Sequence, residues 1–191
     1  MTPPRAVVLV EGDSDRVALL ALARRRDRDL PAEAVEVLAV GGVTNIGAAA
    51  ARHGPHGRGL QLAGLYDAPE EEHVRRGLRR AGLGVGPGPD ALGWLDFHRC
   101  TADLEDELLR ALGVRLSLEV VEAAGELRSY RLLAQMPAQE GWTEQALLHR
   151  FLGVRSGRKA RYAELLVDAL PLERVPAPLD AVLDAVAPRG R

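Results

Sequence analysis

Six side chains have the types and the spacing to do chemistry: Glu11, Asp15, Asp67, Asp103, Glu105 and Lys159. Glu11 follows the apolar run Val7-Val8-Leu9-Val10, and Asp67 follows Leu60-Gln61-Leu62-Ala63-Gly64-Leu65-Tyr66. At both places a carboxylate appears where a hydrophobic run ends, before any helix needs a cap. Asp103-Leu104-Glu105-Asp106-Glu107 is a third acidic stretch. Carboxylates brought together repel unless a cation sits among them, and oxygen-only ligands favour hard ions such as Mg²⁺ or Mn²⁺. Two such ions about 4 Å apart bind the attacking water and the leaving oxygen of a phosphodiester. An ammonium beside them offsets the charge that develops on the phosphate, a task open to Lys159. The plainer alternative is that Asp13 and Asp15 complement a helix dipole and Glu11 is a solvated loop residue.

Lys159 stands out for a second reason. Lysine and arginine together number 25, and Lys159 is the single lysine among them. Where arginine serves almost every need for positive charge, a retained lysine points to a task that a planar guanidinium does not perform. Chance survival of one lysine is the competing account.

Alternating strand and helix signals must position these groups. Val7–Val10 is β-branched and uninterrupted, the pattern of a parallel strand buried on both faces. Gly12 allows a turn, Ser14 or Asp13 can cap, and Arg16–Ala23 continues as a helix. Glu11 and Asp15 then lie at the carboxyl end of a strand and in the first turn of its helix, the place where open α/β sheets bind ligands. Arg24-Arg25-Arg26-Asp27-Arg28-Asp29 reads as a solvated helix end. Val35–Val40 is a second strand, closing on Gly41-Gly42-Val43-Thr44-Asn45 with Thr44 or Asn45 as cap of a helix over Ile46–Arg52. Leu60–Tyr66 is the third strand, followed by a helix opened by Pro69 and acids. After a Gly/Pro linker comes a fourth strand, roughly Leu92–Cys100, and a helix Leu104–Leu112. Beyond Val114 helices are expected over Leu116–Leu133, Thr143–Leu152, Arg158–Leu170 and Leu179–Val186. Four arginines, Arg150, Arg155, Arg158 and Arg161, surround Lys159 and are expected to form a positive rim beside the acidic centre.

The chain of 191 residues is long enough to bury a core, and its formal charge of −2 excludes a generally basic nucleic-acid coat. Contact with nucleic acid must then come from local arginines or from metal ions held by carboxylates. One cysteine, Cys100, allows no internal disulfide and suits a reducing cytoplasm. No signal-peptide pattern or membrane-length apolar run occurs, so a soluble cytoplasmic protein is expected.

The order of strand-Glu11-Gly12-x-Ser14-Asp15-helix, Gly41-Gly42-Val43-Thr44-Asn45, strand-Asp67, Asp103–Leu108, Gly157–Ala163 and Val175-Pro176-Ala177-Pro178-Leu179 resembles the Toprim half of the OLD (overcoming lysogenization defect) nucleases over nearly the whole chain. The resemblance implies an α/β fold: a sheet of about four mainly parallel strands flanked by helices (1–113), with a helical C-terminal portion (114–191) packed on it in one compact unit. It also implies metal-dependent cleavage of DNA. By the same resemblance Glu11 and Asp15 match the first acidic element, with Asp15 on the second ion, Asp67 the first Asp of an Asp-x-Asp pair, Asp103 and Glu105 the later acids, and Lys159 the catalytic lysine. Pro69 replaces the second Asp of that pair, and Glu70 lies one residue late. No G-x-x-x-x-G-K-[S/T] occurs, so an ATPase acting in trans is a possible partner. The rival expectation is a degenerate Toprim module that binds nucleic acid or a partner ATPase without cutting.

Overall fold

A computed structural model describes residues 3–155 and 157–188. Four strands, β1 (Ala6–Val10), β2 (Val35–Ala39), β3 (Gln61–Asp67) and β4 (Phe97–Cys100), form one sheet in the order β2-β1-β3-β4. Every pairing is parallel. The uninterrupted apolar run of β1 has the reason expected of it: the strand is buried on both faces. Ala6, Val8 and Val10 enter one core and Val7 and Leu9 the other.

Two helix layers cover the sheet. On one side lie α2 (Ile46–His53) and α3 (Glu71–Arg80), which bury Ile46, Ala50, Val74 and Leu78 against β1 and β3. The other side carries α1 (Asp13–Arg25) and α4 (Leu104–Leu112), joined by α5 (Val114–Ala123), α6 (Leu127–Ala134), α7 (Glu144–Gly153), α8 (Arg158–Ala169) and α9 (Ala177–Ala185). The helical C-terminal portion therefore shares a continuous core with the strands. None of the described helices is long and apolar enough to cross a membrane.

Three expectations about the elements change. The fourth strand is shorter than Leu92–Cys100: 3-10 turns occupy Pro89–Ala91 and Gly93–Leu95, and Asp96 at φ 61° ends the second turn before β4 begins. The helical stretch expected over Leu116–Leu133 with a break at Gly125 starts earlier, at Val114, and Gly125 at φ 76° does divide it into two helices. The charged run at the end of α1 is solvated only in part: Arg24, Asp27 and Asp29 are exposed, yet its arginines have partners. Arg24 pairs with Glu164 at 3.2 Å and with Asp168 at 3.0 Å, and Arg26 pairs with Asp180. Arg25 donates to the Val167 and Leu170 carbonyls, and Arg28 to that of Leu183 at 2.7 Å.

These bonds set how α8 and α9 lie. The last turn of α1 is tied to the later turns of α8, so the two helices run side by side in the same sense, and the amino end of α8 is brought to the amino end of α1. Lys159 is thereby delivered to the sheet edge where Glu11 stands. Removing the Arg25 guanidinium, as in Arg25→Met, leaves two carbonyls at the α8 end without their donor. Stability should fall by about 1–3 kcal/mol, read from the urea midpoint at unchanged m-value.

Candidate metal and phosphate site at the carboxyl edge of the sheet

Strand order makes the site. The chain leaves β1 toward β2 on one flank and returns to β3 on the other, so the connections diverge between β1 and β3. A crevice at the carboxyl ends of such strands is where open parallel sheets bind ligands. Glu11 follows β1 directly and Asp67 is the last residue of β3, so both acids border that crevice. Asp15 lies in the first turn of α1, and Asp103 and Glu105 open α4 just beyond β4. All five expected carboxylates and Lys159 thus share one edge of the sheet.

Local backbone chemistry holds Glu11 in place. The glycine turn after β2, with Gly41 at φ 74° and Gly42 at φ 116°, is a conformation that a side chain would strain. Its two N–H groups donate to the Glu11 carbonyl at 3.0 and 3.2 Å. Asn45 does not cap α2 through its side chain; its amide donates instead to the Val40 and Gly41 carbonyls at 2.9 and 3.2 Å. The turn between β2 and α2 therefore serves the loop after β1. Asp15 accepts from the Gly12 N–H at 2.9 Å, so one of its oxygens does perform the plain capping task.

The carboxylates feel one another. Burial first, then the neighbouring charges of Asp15, Asp103, Glu11 and Glu105, push Asp67 up to about 7. Asp15 is pushed up to about 6, again by burial first, with Glu105 and Glu11 adding to it. Glu11 is raised by burial and by Glu70, while Lys159 pulls it down. Glu70 is therefore near enough for Glu11 to feel its charge, whereas Glu71 and Glu72 pair with Arg75 and Arg76.

Two cations belong to the site itself. Lys159 Nζ donates to Glu105 Oε2 at 3.0 Å; the ammonium side chain is 49% exposed and the carboxylate side chain 4%. Asp103 is the N-cap of α4, accepting from the Asp106 N–H at 2.8 Å, and its other oxygen lies 2.7 Å from His149 Nε2. His149, on α7, is the member that sequence reasoning missed. Its only signal was a histidine on a helix remote in sequence from the acids, which no spacing argument connects to Asp103.

This pairing has a consequence for pH. The Asp103 hydrogen bond raises His149 above its ordinary 6.5. Burial pushes Asp103 up, but His149 and the Asp106 N–H outweigh it and hold the carboxyl below 3.8. The histidine contribution is complete below 6.5 and fades as pH rises through the raised value; the carboxylate contribution is complete above 3.8 and fades as pH falls through the lowered one. In metal-chelated buffer His149→Gln should therefore cost stability at pH 5 to 6 and progressively less above about pH 7. Equal loss across that range, in urea titrations of both proteins, would refute the pairing.

The arginine rim is only partly present. Arg158 is buried, lies 4.0 Å from the Phe151 ring centroid and pairs with Glu126 at 3.1 Å, and Arg161 also pairs with Glu126. Arg158 is thus a buried anchor for α8, whereas Arg161, though paired, is exposed along with Arg150 and Arg155.

Carboxylates that share ions have oxygens a few ångströms apart. Among the described residues, no group of three or more His, Cys, Asp or Glu side chains is gathered closely enough to hold an ion as it stands. Mutual repulsion accounts for the spread, as do Lys159 and His149, which draw Glu105 and Asp103 to themselves. The donor set nevertheless suits a hard divalent cation. Its side-chain donors are carboxylate oxygens, two of its acids are pushed up to about 6 and about 7 by burial first and by neighbouring carboxylates second, and Glu105 Oε1 is buried without a hydrogen-bond partner.

Residues 4–51 match the family model described as overcoming lysogenization defect protein-like, TOPRIM domain. The C-terminal region of the OLD protein of Xanthomonas campestris pv. campestris superposes with a TM-score of 0.71 at 23% identity, covering 97% of this chain and 95% of that one. The fold is the OLD-type Toprim fold. The C-terminal region of the Burkholderia pseudomallei OLD protein gives a TM-score of 0.67 at 24% identity, over 97% of this chain and all of that one (100%). No curated protein matches. The Toprim likeness includes the helical C-terminal portion, so the helices that carry Lys159 and His149 belong to the shared fold. Pro69 lies in the 3-10 turn Ala68–Glu70 that follows Asp67, and its side chain brings no ligating atom to this edge of the Toprim sheet.

Proposed function

We propose that the protein is a metal-dependent nuclease that hydrolyses phosphodiester bonds of DNA. The observation that carries the reading is the convergence of Glu11, Asp15, Asp67, Asp103 and Glu105 at the sheet's switch point, with the Lys159 ammonium among them. These five carboxylates would hold the divalent ions, Mg²⁺ or Mn²⁺ and two in number, with His149 orienting Asp103 from behind. Bound there, such ions supply Lewis-acid polarisation of the phosphate and make water easier to deprotonate.

The chain's own groups have separate tasks. Glu105, buried and fixed on α4, holds the Lys159 ammonium at the crevice mouth. The half-exposed ammonium directs its remaining protons to a non-bridging phosphate oxygen, where charge grows as the bond breaks. Glu11 is anchored through its own carbonyl, so its carboxylate stays at the switch point and orients the attacking water. Residues 1–113 and 114–191 act as one unit in this reading, because the acids come from the first and the ammonium from the second. Control by nucleotide would have to come from an ATPase outside these residues, such as one acting in trans.

A second reading has specific support. Pro69 and the absence of a gathered carboxylate cage among the described residues suit a Toprim module that binds nucleic acid or a partner ATPase without cutting. One experiment separates the two: plasmid and single-stranded DNA incubated with the protein in Mg²⁺, Mn²⁺ or EDTA, with binding followed in parallel. The nuclease reading expects cleavage in Mg²⁺ or Mn²⁺, none in EDTA, and loss of cleavage in Glu11→Gln. Binding without cleavage in either metal would establish the second reading.

A further inference from the structure

Beside the acidic crevice lies a groove of about 490 Å³ that the proposed chemistry does not use. Its inner wall is the Asp103–His149 pair, so it opens directly off the site. Its outer wall is built from α7 and the segment before it: Trp142, Thr143, Gln145 and Arg150. The size falls in the usual range of pockets for small organic groups, about 300–1,000 Å³.

The lining has a specific chemical character. Trp142 is 45% exposed, a large aromatic face left beside polar neighbours with no aromatic partner among the described residues. Arg150 is exposed and forms no ion pair or hydrogen bond among the described residues, in a chain where Arg24, Arg26, Arg28, Arg110 and Arg158 are all paired with carboxylates. Gln145 places an amide in the same groove, its Nε2 at 3.2 Å from Asp106 Oδ1, which leaves its carbonyl oxygen to accept. An indole face, an unpaired guanidinium and an amide edge within one groove are the means by which proteins bind an unpaired nucleobase and its phosphate. A base inside an intact duplex cannot present its face to an indole.

Resting on the nuclease reading, we propose that this groove takes an unpaired nucleobase of the substrate strand, next to the phosphate being cut, so that the preferred substrate is single-stranded DNA. Trp142 stacks on the base, Gln145 accepts from its edge, and Arg150 meets the adjoining phosphate. Duplex DNA engages the acidic crevice without this contact and binds less tightly.

The chain has two tryptophans, and the other, Trp94, lies on a separate loop. Trp94→Phe therefore leaves Trp142 as the sole indole reporter in an otherwise intact protein. In EDTA, adding a thymidine oligonucleotide should quench its fluorescence saturably, and the matching duplex should not. With labelled oligonucleotides, Trp142→Ala should weaken single-strand binding about tenfold or more and leave duplex binding within about twofold, while Trp142→Phe should restore most of the loss. Arg150→Ala should weaken single-strand binding and reduce its salt dependence. Cleavage in Mn²⁺ should show the same strand preference and lose it in Trp142→Ala. Unquenched Trp142, or single-strand binding by Trp142→Ala equal to that of the parent, overturns the proposal even if the protein cuts duplex DNA well. Quenching that depends on Trp142 in a protein that never cuts would uphold the groove and refute the nuclease reading instead.

Discussion

Lys159→Arg is expected to bind DNA nearly as well as the parent protein and to cut it on the order of a hundredfold more slowly. The positive charge survives, so Glu105 keeps a partner and α8 stays docked. The donor geometry does not survive: a compact ammonium with three protons becomes a planar fork that cannot both pair with Glu105 and occupy the ammonium's position at the crevice. Lys159→Met separates the two roles further. It leaves the Glu105 carboxylate, 4% exposed, without its cation. That variant should lose cleavage and also about 1–3 kcal/mol of stability. Single-turnover cleavage in Mn²⁺, binding in EDTA and urea midpoints supply the three readouts. Cleavage by Lys159→Arg at the parental rate would reduce the lysine to a structural partner of Glu105.

The second large effect has opposite signs for activity and stability. Asp67 is pushed from its ordinary 3.8 to about 7 by burial and by four neighbouring carboxylates. A carboxyl whose folded value is raised costs stability as it ionises, and here that loss develops as pH rises from 3.8 through about 7. Asp67→Asn removes the charge and keeps the shape. In chelated buffer at pH 8 the variant should therefore melt a few degrees above the parent protein. Millimolar Mn²⁺ should reverse the order, because a cation that binds among the carboxylates stabilises the parent in proportion to its occupancy. Cleavage by Asp67→Asn should fall on the order of a thousandfold, since an amide oxygen is a poor substitute for a charged ligand. Melting curves with and without Mn²⁺ check the sign. If the variant is less stable than the parent in EDTA, the acids are not in mutual repulsion and the site has been misread.

Glu70 bears on the same question. Pro69 leaves the second position after Asp67 without a side-chain ligand, and Glu70, the last residue of the 3-10 turn, is near enough to raise Glu11. His73 Nδ1 lies 3.2 Å from Glu70, so this carboxylate is held from the α3 side.

Much of the fold and the candidate site was written locally. An uninterrupted apolar run can be buried only by cover on both faces, so Val7–Val10 required a parallel sheet between helix layers. The carboxylates at its end and at the end of β3, the glycine turn at Gly41-Gly42 and the singular Lys159 were all visible as residue types at positions. Partners were not. Hydrophobic periodicity records which face of an element is buried and is silent about what buries it. The order β2-β1-β3-β4, which puts Glu11 beside Asp67, depends on which strand edges satisfy one another across the sheet. The arginines after α1 read as solvated because their acceptors lie on α8 and α9, about 140 to 158 residues further along. His149 reaches Asp103, and Arg158 turns away from Lys159 toward Glu126, for the same reason. Sequence alone determined which acids and which lysine this protein carries at the ends of its elements; only the packing of α7 and α8 on the sheet decided which of those carboxylates are paired with a basic side chain and which are not, because charge pairing is set by distance in space and not by distance along the chain.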